Sequence, residues 1–102
     1  MFNWESGRQG AGYRKLCLWA FKKFDCYIID YPVGSSAPSH CDPVHSGQHF
    51  RFNILLSGKD NFTGKTIWST DRIKLFRPDI NIHSVNETDC RRVVLSFGLI
   101  LN

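Results

Sequence analysis

Between His49 and Leu56 an extended chain places Phe50, Phe52, Ile54 and Leu56 on one face and His49, Arg51 and Asn53 on the other. A period of two belongs to an extended strand, so this segment is committed to a sheet. Other runs carry the same signal. Cys26 to Tyr31 is β-branched and aromatic, and Pro32, Gly34, Ser35 and Ser36 then break it as a turn. Shorter strands are expected at Thr66 to Ser69, Arg72 to Phe76 and Ile82 to Val85, with Arg92 to Leu101 closing the chain. Tyr13 to Phe24 fits either a helical face or a strand, and we prefer a strand turning at Lys22 to Asp25. Seven or so short strands separated by Gly, Pro, Asn and Asp turns predict an all-β sandwich or jelly-roll barrel with little helix.

The 102 residues suffice for one hydrophobic core. We therefore expect a single domain, residues 1–24 forming an arm and flanking element and residues 25–102 the barrel core. Apolar residues at 42% and aromatics at 14% exclude a disordered chain. No apolar run reaches membrane-spanning length and no secretory leader is visible, so no membrane partner and a cytoplasmic location are expected. Cys17, Cys26, Cys41 and Cys90 lack the spacing of a disulfide framework and read as reduced thiols. The net charge of +4 is densest in basic residues near the start, from Arg8 to Lys23, which permits an acidic protein or nucleic-acid partner without requiring one.

The chemistry is concentrated at Ser39-His40-Cys41-Asp42-Pro43. On an extended backbone residues i and i+2 share a face, so His40 and Asp42 can reach one ion from a single strand end. His83, 41 residues after Asp42, supplies a third ligand. Two histidines and one carboxylate leave coordination positions open and suit Fe(II), whereas thiolates would favour zinc or an iron-sulfur cluster. Arg92 follows His83 by nine residues and shares a strand face with Val94 and Ser96. A guanidinium beside an iron site can pair bidentately with a carboxylate, and Ser96 could add a hydrogen bond. Tyr31 precedes His40 by nine residues across the turn, and its phenol could serve the same carboxylate.

In that order, Tyr-x-x-Gly, His-x-Asp, then a distal His followed by Arg, the segment from Asp25 to Gly98 resembles the double-stranded β-helix core of the 2-oxoglutarate/Fe(II)-dependent oxygenases. His49-Phe50-Arg51-Phe52-Asn53 and Leu75-Phe76-Arg77-Pro78-Asp79 are similar to segments of that core. The resemblance implies that His40, Asp42 and His83 ligate Fe(II), and that Arg92 and Tyr31 hold the co-substrate 2-oxoglutarate. It implies oxidation by dioxygen of a substrate, by hydroxylation or demethylation. Asp60-Asn61-Phe62-Thr63-Gly64 stands where many relatives have a Gly-Gly pair, and the bracing helices are mostly missing, which keeps a binding module for a protein or nucleic-acid partner open as the alternative. A cupin-like metalloenzyme without 2-oxoglutarate shares the barrel but would more usually show His-x-His.

His45 reads as a loop residue, His49 and Asn53 as a face that can point into the barrel, and Arg51 as an ion-pair former before a co-substrate ligand. Arg8 and Gln9 could touch substrate. Exposed sheet edges make a homodimer feasible.

Overall fold

A computed structural model describes residues 4–6, 12–42, 44, 46–87 and 89–101, and none of these is helical. Ten strands are present among them: β1 Trp4–Ser6, β2 Arg14–Ala20, β3 Phe24–Tyr31, β4 Ala37–His40, β5 Gln48–Ser57, β6 Phe62–Gly64, β7 Trp68–Ser69, β8 Ile73–Phe76, β9 His83–Val85 and β10 Arg92–Leu101. All strand pairs are antiparallel, in a seven-stranded sheet ordered β1-β2-β3-β10-β5-β8-β7 and a three-stranded sheet ordered β4-β9-β6. The all-β barrel expected from the turn spacing is therefore the fold. Residues 14–20 form the strand preferred for them, and with β1 they extend the main sheet rather than standing apart from it. Arg8, Gln9 and His45 lie outside the described residues. Cys17, Cys26, Cys41 and Cys90 are not joined in disulfides.

The sheet is organised around β10, whose Arg92, Val94, Ser96 and Gly98 are buried while their neighbours are more open. Gly98 lies between Asp25 of β3 and Arg51 of β5, and Ser96 lies between Tyr27 and Asn53. An apolar cluster of Tyr31, Ala37, Leu55, Val85 and Val94, with Tyr13 and Ile29 packed against it, forms the apolar part of the interior. Tyr13, Ile29, Tyr31, Ala37 and Val85 of that group also line a cavity whose remaining wall is largely polar. Since Asp25, Tyr27, Arg51, Asn53 and Ser96 face that cavity, the alternate residues of β3, β5 and β10 face outward.

On the outward side Asp30, 1% exposed, is held between Arg14 and Arg91, each 2.9 Å away. Burial alone would raise its pKa, but the hydrogen bonds from Arg91 and Arg14 outweigh that and keep the carboxyl below its usual range. Both arginines are more exposed than the carboxylate they hold, so this triad ties β2, β3 and the start of β10 together at the rim of the sheet.

Candidate metal centre

In the small sheet β4 and β9 run antiparallel with His40 directly opposite His83. Their rings lie 4.3 Å apart between centroids. His40 Nδ1 bonds the Pro38 carbonyl at 2.5 Å and His83 Nδ1 bonds the Asn81 carbonyl at 3.0 Å. A carbonyl can only accept, so each Nδ1 carries a proton, and Nε2 is the ring atom left to act as a ligand. Those two Nε2 atoms lie 3.6 and 3.5 Å from the same Asp42 oxygen, Oδ2. Donor atoms from all three residues fall within 4.8 Å of one another.

This donor set fits one divalent transition-metal ion. Two imidazole nitrogens and a carboxylate oxygen converge, with both outer ring nitrogens fixed by hydrogen bonds as metal-bound histidines require. The spacing argument for His40, Asp42 and His83 thus meets a geometry in which the three are neighbours.

The surroundings hold these ligands in place. Phe76, 2% exposed, packs its ring 5.1 Å from that of His83, and Phe62, 4.8 Å from Phe76 and 6.2 Å from His83, completes a three-ring cluster beside it. Gly64 pairs with His83 across β6 and β9, where a Cβ would stand only 2.9 Å from His83 Cβ. The Asp42 amide donates to the Pro78 carbonyl at 2.6 Å. Pro78 sits in a turn clamped by Arg77, which donates to Asp79 through Nε at 2.9 Å and Nη2 at 2.6 Å. Asp79 also accepts from the His49 amide at 3.3 Å, so the turn carrying Asp42 is fastened to β5.

The hydrogen bonds from Arg77, opposed by burial, bring the Asp79 pKa down to about 2. With a folded value below the unfolded one, its stabilisation is present above pH 4 and lost as pH falls towards 2. That shift corresponds to on the order of 2 kcal/mol. Acid titrations of unfolding should show Asp79→Asn less stable than the parent at neutral pH, the gap closing as pH approaches 2. A gap unchanged over that range would remove Asp79 from the linkage.

The ligands open on a cavity of about 470 Å³. Its far wall is built on β2, β3, β5 and β10 from Lys15, Asp25, Tyr27, Arg51, Asn53 and Ser96. Arg51 is the centre of that wall, donating from Nη1 to Ser96 Oγ at 2.7 Å and from Nη2 to Asp25 Oδ1 at 2.6 Å. Ser96, fully buried, donates its hydroxyl to Asn53 Oδ1 in a hydrogen bond of 2.5 Å. The bridge from Arg51 to Asp25 passes directly over Gly98, where a Cβ would come 2.1 Å from Arg51 Nη2 and 2.7 Å from the carboxylate. Gly98 on a strand interior is the sequence signal that marks this close approach, and it would have pointed to Arg51.

His49 also lines the cavity. Burial, followed by the charge of Arg51, lowers its pKa, so the ring is neutral, and its Nδ1 is buried without a hydrogen-bond partner. Such an orphan polar atom beside a cavity is what an absent ligand or water would satisfy.

Tyr31 lines the cavity too, and burial pushes its phenol up to about 12, leaving it a neutral hydrogen-bonding group. Arg92 is placed differently. It shares the inward face of β10, yet its guanidinium lies over the Tyr31 ring at 5.1 Å and donates from Nε to the Lys59 carbonyl at 2.9 Å. It lines a separate groove with Asp60, Asp71 and Arg72 rather than the metal cavity. Arg92 is thus brought beside Tyr31 but behind it, and Ser96 is brought to the cavity with its proton committed to Asn53.

No family model matches the sequence, and no curated protein matches it. Solved structures do. A predicted oxalate decarboxylase from Thermotoga maritima superposes with a TM-score of 0.72 at 16% identity, covering 98% of this chain and 92% of that one. The cupin domain of Cnp3 from Schizosaccharomyces pombe gives 0.70 at 17%, covering 97% and 69%. The DMSP lyase DddQ from Ruegeria pomeroyi gives 0.70 at 16%, covering 96% and 56%. At these identities the likeness is one of architecture: this chain has the double-stranded β-helix fold of the cupins, with a His-His-Asp cluster that could hold a metal at its mouth.

Proposed function

We propose that the chain is a mononuclear Fe(II) protein that takes 2-oxoglutarate into its cavity and oxidises a second substrate with dioxygen. The observation that carries this reading is the convergence of His40 Nε2, His83 Nε2 and Asp42 Oδ2 at one end of a cavity whose opposite wall presents a guanidinium. His40, Asp42 and His83 would hold the iron, which when bound supplies the redox chemistry that couples an oxo acid and dioxygen to C–H oxidation. The protein's own groups do the rest. Arg51, fixed by Asp25 and Ser96, offers its remaining N–H groups to a carboxylate at the far wall. Tyr31 offers a phenol that stays protonated at working pH. Phe62 and Phe76 keep water from the His83 side of the site. The cupin neighbours include proteins described as an oxalate decarboxylase and a DMSP lyase, which supports small-molecule chemistry on this fold without choosing the reaction.

The test is an anaerobic Fe(II) and 2-oxoglutarate titration followed by succinate measurement on admitting air. Arg51→Ala is expected to weaken 2-oxoglutarate binding at least about tenfold with iron retained, the loss of one charge-assisted pair. Arg92→Ala, whose guanidinium lies behind Tyr31, should weaken it less. The reverse order would return the co-substrate role to Arg92. Iron binding with no 2-oxoglutarate affinity and no succinate would instead favour the second reading, a metal-bearing binding module. What supports that reading is a similar solved structure that is a protein–protein complex, Rhodobacter sphaeroides SigE with the anti-sigma ChrR, matched over 48% of that chain.

A further inference from the structure

Charges set deep in this barrel are matched by counter-charges, with one exception. Asp30 lies between Arg14 and Arg91, each 2.9 Å away. Asp79 is held by Arg77 at 2.6 Å, Asp25 by Arg51 at 2.6 Å and Asp60 by Lys74 at 2.8 Å. Arg92 is only 5% exposed, yet among the described residues no carboxylate is paired with its guanidinium. Its neighbours offer dipoles alone: the Lys59 carbonyl accepts from Nε at 2.9 Å, and the Tyr31 ring lies 5.1 Å away. A cation in that position has given up water without gaining an opposite charge, an arrangement that costs stability until an anion is at hand.

The space beside Arg92 has the charge to hold one. The groove between β10, the β5–β8 pair and the residues before β6 is lined by three cations, Arg72, Lys74 and Arg92, against two carboxylates, Asp60 and Asp71. Asp60 is taken by Lys74, and Asp71 is exposed and solvated, so neither neutralises Arg92. Asn53 forms part of the same wall. Its Oδ1 accepts from Ser96, which leaves the amide hydrogens as donors. The positive balance excludes a metal cation.

Size narrows the class further. The groove holds about 10 Å³, room for about one water-sized body. Carboxylate, phosphate and sulfate groups exceed that space. A bare halide fits once the exposed Arg72 side chain, which spends one N–H on the Leu55 carbonyl at 3.3 Å, yields slightly. We propose that Arg92 is the base of a monovalent-anion site, filled in solution by chloride. The anion supplies the counter-charge that the chain itself does not, and it ties the residues before β6 to the head of β10. Asn53 and Phe62 are the walls this groove shares with the metal cavity, so the site stands whether or not iron and 2-oxoglutarate bind there.

Thermal unfolding of the full chain at constant ionic strength tests the site, with sodium gluconate, too large for the groove, replaced stepwise by sodium chloride. The melting temperature is expected to climb along a saturable curve by about 5 °C, as for a ligand that binds only the folded state. Bromide should act as chloride does. Sulfate should give only the gradual, non-saturating rise of a salt excluded from the protein surface. Arg92→Met, which keeps a long side chain against Tyr31 without the charge, should lose the chloride increment and keep the sulfate one. Broadening of the chloride NMR line by the wild type should vanish with it. A melting temperature that stays flat or falls as chloride replaces gluconate overturns the proposal, as does a chloride increment that survives in Arg92→Met. Should Arg92→Met fail to fold, Arg72→Gln on the exposed side of the groove decides. Chloride binding weakened several-fold supports the site, and unchanged binding overturns it.

Discussion

His83→Ala is expected to lower Fe(II) affinity by more than about 100-fold, beyond the 10- to 100-fold typical of losing a supporting partner, because a ligand itself is removed. The argument rests on geometry rather than on residue type. His83 is buried at 8% exposure, its ring is packed against the Phe62–Phe76 pair, and its Nδ1 is spent on the Asn81 carbonyl. Its Nε2 has therefore one direction in which to act, towards Asp42 and His40. Alanine leaves a hole beside the Phe62–Phe76 pair that Gly64, across the strand pair, cannot fill because it brings no side chain. His49→Ala is the matched control. It removes an imidazole from the same cavity wall without touching the three donors, and iron should remain bound. Metal analysis after dialysis, with competitive titration of the affinity, checks both. Iron retained by His83→Ala, or lost equally in His49→Ala, would move the site to another set of residues.

How much of this could be read in advance differs by residue. His49 to Leu56 is legible from the period of two over Phe50, Phe52 and Ile54, and Arg92 to Leu101 from its long run of β-branched and apolar residues. The strands β4, Ala37–His40, and β6, Phe62–Gly64, are too short to carry a period, and one contains Pro38 and the other ends in Gly64. Yet those short strands, with β9, hold the site. His40, Asp42 and His83 were legible because ligand chemistry restricts the residue types so strongly. Arg92 shows the limit of such reading. Its place on β10 and its inward direction follow from the sequence, but the carbonyl of Lys59, 33 positions earlier in the chain, is what captures its guanidinium. Arg51 shows the converse: the pattern placed it on the face of His49 and Asn53, but its partners Asp25 and Ser96 come from two other strands. Pairing across strands is decided by register, which a single strand does not encode.

The turn that captures Arg92 carries the largest expected effect on stability. Gly58 follows β5 with φ +94°, and a Cβ there would stand 2.6 Å from the Arg91 carbonyl oxygen and 2.9 Å from Arg92 Cα. Both atoms belong to the backbone where β10 begins, so neither can swing aside as the end of a long side chain would. Gly58→Ala thus combines the cost of a left-handed backbone, about 1 to 2 kcal/mol, with that of an overpacked contact, about 1 to 3 kcal/mol. A loss of about 3 kcal/mol in total would lower the melting temperature by roughly 10 to 20 °C for a domain of this size. Gly34 separates the two contributions, because it has φ +84° but nothing within 4 Å of its Cβ direction. Gly34→Ala should cost only the backbone part, about 1 to 2 kcal/mol. Chemical denaturation of the two variants measures the difference, and equal losses would show that the contact with β10 contributes nothing. The same substitution bears on the site. Pushing the 58–59 turn away from β10 separates Lys59 from Arg92, freeing the guanidinium that lies behind Tyr31. If Arg51 anchors the co-substrate, 2-oxoglutarate affinity of whatever folded Gly58→Ala remains should be nearly that of the parent. A gain in affinity would mean that the Lys59 carbonyl had been holding Arg92 away from the carboxylate it binds.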